Sequence, residues 1–210
     1  MADATGGDYF DFVSLSGDSL GLVIGDVSGH GLDSALVMAE LRAILRSTAR
    51  TLSDPGELLS AVNRVLVADT EDSRFATALV AAVHLPTRVV RYASAGHTPG
   101  FLLDAAGRVR VRLPALGPPL GLFADAQYPS RDGIALAPGD CLVLYTDGAT
   151  DCESPLGTAF GAERLLDVVR GQRGARASVI VDAIHGALRA FTGSLPQQDD
   201  VTVVVCAVEA

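Results

Sequence analysis

The sequence predicts an α+β fold in which sheet packs on sheet and helix pairs cover the outside. Two observations carry this reading. Strand-like apolar runs follow one another through short turns rich in Gly, Pro and Asp, as hairpins do. Apolar residues at helical spacing arise in pairs of segments, before and after the main run of strands. The chain has 210 residues, of which 49% are hydrophobic, and it carries no internal repeat or low-complexity linker. It is therefore read as one compact domain spanning 1–210.

The elements follow in order. Segments 9–15 and 20–27 read as strands joined by the polar turn Ser16-Gly17-Asp18-Ser19. A long helix is predicted over 32–51, with Leu32, Ala35, Leu36, Ala39 and Ala43 at helical spacing and Arg42, Arg46 and Arg50 on another face. A second helix starts at Asp54-Pro55-Gly56-Glu57, which offers an N-cap, a first-turn proline and a capping-box Glu ahead of Leu59, Val62 and Leu66. Strands are then expected at 75–85, 89–95, 100–103, 109–113, 128–136 and 141–146. Helices follow at 162–169 and 177–191, the latter with Ile180, Ala183, Ile184, Ala187 and Phe191 on one side. A last apolar strand at 201–208 closes the chain.

Composition narrows the function. With 25 acidic and 16 basic residues the formal charge is −9, which argues against a nucleic-acid groove or an anionic membrane surface and suits a cation binder. All the basic residues are Arg, so no lysine serves as Schiff base, general base or phosphate-loop cation. No apolar run approaches the roughly 20 residues needed to span a bilayer. Met1 is not followed by a basic stretch and an apolar block, so a soluble, cytoplasmic protein is expected. Cys141, Cys152 and Cys206 form no CxxC pair and read as reduced, buried thiols.

The acids are the informative residues. Asp8 opens one predicted strand and Asp26 closes the next, so a hairpin would bring them close. Asp147 follows the apolar run 141–146, Asp151 lies four residues on, and Asp199 and Asp200 precede the final strand. For any one Asp a turn or a cap is the ordinary explanation. Several carboxylates at the ends of buried strands need compensation. Oxygen ligands of this kind suit Mg²⁺ or Mn²⁺ rather than zinc.

These residues stand in the blocks GGDYFD (6–11), GDVSGHG (25–31), SAGHTP (94–99), PPLGL (118–122), LYTDGATD (144–151) and QDDVTVVV (198–205). In that order they closely resemble bacterial serine phosphatases of the SpoIIE/RsbU type, a branch of the metal-dependent protein phosphatase (PPM) family. The resemblance implies a four-layer α-β-β-α sandwich of two packed, mainly antiparallel sheets flanked by helix pairs, with two Mn²⁺ or Mg²⁺ ions and room for a third, weaker one. Carried over by position, Asp26 is the bridging carboxylate and Val27 offers its carbonyl. Asp147 and Asp199 are further ligands, with Asp200 supporting Asp199. Asp8 holds metal-bound water, and Asp151 matches a ligand of the third ion.

The implied reaction is hydrolysis of protein phosphoserine or phosphothreonine by direct attack of a metal-bridging water, without a phosphoenzyme. The implied partner is an anti-sigma-factor antagonist, a small STAS-domain protein. Two other readings stay open: a catalytically inactive scaffold binding such a partner, and a phosphatase of small esters. His30 is read as ordering its turn or touching substrate, with general-acid catalysis as the alternative. His97 is read as a turn histidine bonded to backbone. No Arg precedes Arg42, so the N-terminal phosphate-binding Arg of the eukaryotic branch has no counterpart, and phosphate binding is assigned mainly to the metals. Relatives carry an upstream regulatory segment, expected to lie outside this sequence and to offer a route to a homodimer.

Overall fold

A computed structural model describes residues 6–29, 31–69 and 74–209. His30 lies outside the described residues. The described chain gathers into two compact units, one comprising the residues up to Thr98 with Pro114–Leu136, the other Pro99–Leu113 with Ala137 onward.

The first unit is an antiparallel sheet with a helix pair on one face. Its strands are β1 (Asp8–Leu15), β2 (Ser19–Val27), β3 (Ala76–His84), β4 (Val89–Ala95) and, from the later chain, β7 (Arg131–Ala135). They lie in the order β1-β2-β3-β4-β7. The β1–β2 turn works because Gly17 and Asp18 take φ of +74° and +54°, the left-handed conformation that Gly adopts freely and Asp tolerates. Helices α1 (Leu32–Thr48) and α2 (Pro55–Asp69) bury Leu41, Leu45, Leu58, Leu59, Val62 and Leu66 against Tyr9, Val13, Val23 and Val27 of the sheet. Asp54 caps α2, accepting from the Gly56 and Glu57 amides at 2.9 and 3.0 Å.

Helix α1 corrects the sequence reading. Leu32 and Leu36, placed on its apolar face, are 63% and 60% exposed, and Ala39 and Ala43 are exposed with them. The buried row is Ser34, Leu41 and Leu45, flanked by Val37, Met38 and Ile44. Fully burying one Leu contributes roughly 2 kcal/mol, so Val37, Met38, Leu41, Ile44 and Leu45 on this face outweigh Leu32 and Leu36 on the other. An ion pair adds to the preference. Arg46 donates from Nε and its terminal nitrogen to both carboxylate oxygens of Asp11, at 2.5 and 2.7 Å, and Asp11 lies on the helix side of β1 beside Tyr9, whose hydroxyl it accepts at 2.8 Å. The Arg46 guanidinium holds the Asp11 carboxyl down at about 2 against the cost of burial.

The second unit is a smaller antiparallel sheet, β5 (Gly100–Leu103), β6 (Val109–Leu113), β8 (Cys141–Tyr145) and β9 (Val203–Ala207), in the order β6-β5-β8-β9. Helices α4 (Gly161–Gly171) and α5 (Ala177–Thr192) pack Leu165, Leu166, Val169, Ile180, Ile184 and Leu188 on Cys141, Val143 and Tyr145. The sequence missed α3, the single turn Gly148–Asp151, because four residues are too few to show periodicity.

Other boundaries move too, three of them for reasons the bonds show. The end of α1 tightens into three-residue bonds, Arg50 to Ser47 and Thr51 to Thr48, so the helix stops at Thr48 and not at 51. Residues 128–130 are not strand. Tyr128 donates its hydroxyl to Asn63 at 3.2 Å and Ser130 donates to Asp54 at 2.7 Å, which anchors the long loop under α2. Residues 201–202 also precede the last ladder, and Thr202 exchanges bonds with Thr146 instead.

Candidate active site

In the first unit the β1–β2 register sets Asp8 directly opposite Asp26, and β3 places Thr77 on the other side of Asp26. The row lies on the sheet face away from α1 and α2, since Val23 and Val27 of alternate parity point to those helices. Beyond the ladder the Val27 amide donates to the Gly7 carbonyl at 3.2 Å. This approach is close enough that a Cβ at Gly7 would sit 2.6 Å from the Val27 carbonyl oxygen and 3.1 Å from Asp26 Oδ1. The bare glycine thus leaves one small space onto which the Asp26 carboxylate and the Val27 carbonyl both open. Ser28 fastens the turn, its amide donating to the Phe75 carbonyl at 2.9 Å and its hydroxyl accepting from the Phe75 amide at 3.1 Å. Gly29 and Gly31 then take φ of +89° and +87° to swing the chain into α1.

In the second unit Asp147 stands at the N-terminus of α3 and Asp151 at its last position. The Asp151 amide donates to the Asp147 carbonyl at 2.8 Å, and its carboxylate accepts from the Thr150 hydroxyl at 3.1 Å. The loop before β9 comes up against this turn. A Cβ at Gly148 would lie 2.0 Å from the Asp200 carbonyl oxygen and 3.4 Å from the Asp199 Cβ. Although the Asp147 residue as a whole is exposed, partial burial of its carboxyl, followed by the charges of Asp199 and Asp151, pushes its pKa up. Asp199 accepts the Asp200 amide at 2.8 Å, and Gln197 donates to the Asp199 carbonyl at 2.8 Å. The structure therefore brings Asp8 to Asp26, and Asp147 to Asp151, Asp199 and Asp200. Among the described residues no three carboxylate, imidazole or thiol groups enclose a metal ion as they stand. The donor chemistry nevertheless fits Mg²⁺ or Mn²⁺: each set is all oxygen, and Asp147 is raised first by burial and then by like charge, both of which a divalent cation would offset.

Other candidates fall into place around these acids. His97 is buried, and its Nδ1 shares a hydrogen bond of 2.9 Å with the Thr77 hydroxyl; that side-chain partner is 20 residues away and was not legible beforehand. Thr77 also donates to the Asp26 carbonyl at 3.4 Å. The three cysteines are free thiols. Burial pushes Cys141 up to about 11 and raises Cys206 as well, which leaves neither as a nucleophile at neutral pH. The PPLGL block is stitched to β3, Leu120 and Ala76 exchanging both backbone bonds at 2.7 and 3.0 Å.

The Stage II sporulation protein E (SpoIIE) family model matches residues 16–209. The chain belongs to the SpoIIE family. Asp26, Asp147, Asp151, Asp199 and Asp200 fall inside the match, and Asp8 precedes it. Phosphoserine phosphatase RsbU of Bacillus subtilis (strain 168) is 34% identical over 151 residues, covering 72% of the chain and 44% of RsbU. Among solved structures, the SiaA-PP2C domain of Pseudomonas aeruginosa superposes with a TM-score of 0.87 at 24% identity, covering 99% of this chain and 82% of that one. The RsbU and RsbW domains of Rv1364c from Mycobacterium tuberculosis give 0.80 at 32% identity, covering 99% and 56%. RsbX, solved in complex with magnesium, shares the fold with a TM-score of 0.70 at 17% identity, covering 97% and 89%. This SpoIIE-family chain thus has the PP2C phosphatase fold. It spans 36 to 44% of the length of the curated relatives IcfG, RsbU and RsbP. No described helix is long and apolar enough to cross a membrane.

Proposed function

We propose that this SpoIIE-family chain is a Mg²⁺- or Mn²⁺-dependent protein phosphatase acting on phosphoserine of a regulatory protein. The observation that carries the reading is the close approach of the Asp199–Asp200 loop to the turn that holds Asp147 and Asp151, where a Cβ at Gly148 would lie 3.4 Å from the Asp199 Cβ, so that burial and then the charges of Asp199 and Asp151 push the Asp147 pKa up. Acids gathered so that one resists ionisation work against folding, and such groups cluster where function requires them. The proposed donors are Asp26, as bridging carboxylate, the Val27 carbonyl, Asp147 and Asp199, with Asp200 supporting Asp199 and Asp151 serving a third, weaker ion. Two such ions, when bound, lower the pKa of a water and neutralise phosphoryl charge. Asp8 orients that water from its place opposite Asp26, and His30 orders the turn or meets the substrate.

The substrate class is supported by RsbU and RsbP, both named phosphoserine phosphatases. By the same reading the partner is a phosphorylated STAS-domain anti-sigma-factor antagonist. Phosphate release from a phosphoserine protein, measured with and without Mg²⁺ or Mn²⁺, tests the proposal. Asp26→Ala and Asp147→Ala are each expected to lower the rate by a factor on the order of 10³ while circular dichroism stays native, the scale seen when one transition-state stabiliser is removed. Full activity in both variants would overturn the assignment. Hydrolysis of small esters alone would make the chain a small-molecule phosphatase, and partner binding without turnover would make it a scaffold.

A further inference from the structure

In the second unit a cleft of about 570 Å³ is lined by Asp151 and Asp199 and by one face of α5 carrying His185, Leu188, Arg189 and Thr192. These four positions are spaced i, i+3, i+4 and i+7, so they form one continuous row along the helix. Its volume lies in the range of sites that take a peptide side chain or a small ligand, well beyond a single phosphate.

Arg189 is the distinctive group. Arg164 on neighbouring α4 donates to the Ala159 and Phe160 carbonyls and lies over the Phe191 ring. Arg170 is paired with Asp167 and Glu163. The Arg189 guanidinium, exposed at the cleft, has no carboxylate or carbonyl partner among the described residues. A planar fork of donors left unpaired in a cleft is suited to a carboxylate, which it holds through two parallel hydrogen bonds. Leu195, which also lines the cleft and is 38% exposed, supplies an apolar surface for the methylenes of such a side chain.

We infer that this cleft binds the polypeptide flanking the phosphoserine, and that Arg189 selects substrates with an acidic residue there. The inference rests on the proposed phosphatase reading, in which the phosphoryl group itself is held at the acids. Glu153 also lines the cleft; divalent ions at Asp199 and Asp151 would offset those two acids and leave Glu153 and Arg189 as its remaining opposite charges, with Arg189 the group that can hold an acidic side chain.

The test uses fluorescein-labelled peptides bearing a non-hydrolysable phosphonate analogue of phosphoserine, with Glu or Lys scanned through the flanking positions, titrated against the whole chain in Mn²⁺ by anisotropy. Metal-dependent phosphate release from a phosphoserine protein, itself a phosphate ester, is followed in parallel. At its preferred position Glu is expected to bind about tenfold tighter than Lys, the scale of one charge-assisted hydrogen bond. Arg189→Glu should reverse that order and Arg189→Gln should level it, and circular dichroism should stay native because no partner is lost. An unchanged Glu-over-Lys order in both variants, no order in the native chain, or no peptide binding at all would overturn the inference. Absent ester hydrolysis with the peptide order intact would remove the phosphatase reading alone. Metal-dependent hydrolysis with no order dependent on Arg189 would remove the cleft assignment alone.

Discussion

The two sets of acids are held on different kinds of backbone. Asp8 and Asp26 face each other at the end of a ladder that runs unbroken from Leu15↔Ser19 to Asp8↔Asp26, so their positions are inherited from strand register. Asp147 and Asp151 sit on one turn of helix, and Asp199 and Asp200 on the loop before β9. Their positions depend on local bonds and on how closely the loop can approach α3. The first set gains rigidity from the sheet, and the second gathers enough like charge to disturb its own ionisation. One device is shared: a glycine beside the acids, Gly7 in one set and Gly148 in the other, whose missing side chain allows a backbone carbonyl to come close.

The strongest way to break this comparison is to fill the two glycines. At Gly148 an added methyl would meet the Asp200 carbonyl oxygen at 2.0 Å, a backbone atom that cannot rotate away. Gly148→Ala is expected to cost about 3 kcal/mol in denaturant unfolding, the upper end for overpacking. Gly7→Ala, where the clash is 2.6 Å, should cost about 1–2 kcal/mol. Equal costs would mean that loop and ladder are equally stiff.

A smaller effect tests what steadies β1, the edge strand that carries Asp8. With Asp11 held at about 2 in the folded chain and at its ordinary 3.8 unfolded, its contribution is complete above pH 4 and is lost as pH falls toward 2. Allowing for screening at the half-exposed Arg46, that contribution is roughly 1–2 kcal/mol. Asp11→Asn should lower stability at pH 7 by that amount and flatten the acid limb of the stability–pH curve. A variant as acid-sensitive as the native chain would show that the ion pair does not orient α1.

The smallest effect has the opposite sign. A folded pKa raised above the unfolded one makes the Asp147 charge unfavourable at neutral pH, and relief comes as pH falls through the raised value. Without divalent cations Asp147→Asn should stabilise the chain at pH 7, by only a few tenths of a kcal/mol because the residue is exposed. With Mg²⁺ or Mn²⁺ the order should invert, since the native chain alone keeps the full ligand set. A native chain whose melting temperature ignores both ions would overturn the metal reading of this set.

Much of this was legible from residues alone. The turn glycines Gly29 and Gly31, the cap at Asp54 and the buried faces of α2 and α5 rest on local chemistry and came through with small shifts of boundary. The hairpin that joins Asp8 to Asp26 was legible because alternating apolar strands and a polar turn leave few registers. Helix α1 was misread for an equally physical reason: it carries two apolar rows, and spacing cannot say which one meets a sheet. The bonds of Thr77 and Asp11 were hidden because they join residues far apart in sequence, and the open guanidinium of Arg189 because only the structure shows that no described residue pairs with it.

By itself the sequence determined the layered class, the order of the elements and which acids stand at strand ends, because periodicity, capping and turn chemistry act within a few residues. Only the tertiary structure decided the face α1 presents, to which the Arg46–Asp11 pair adds, the close approaches at Gly7 and Gly148, and the cation left open in the cleft beside Asp199. Those features depend on distances between segments that local chemistry does not constrain.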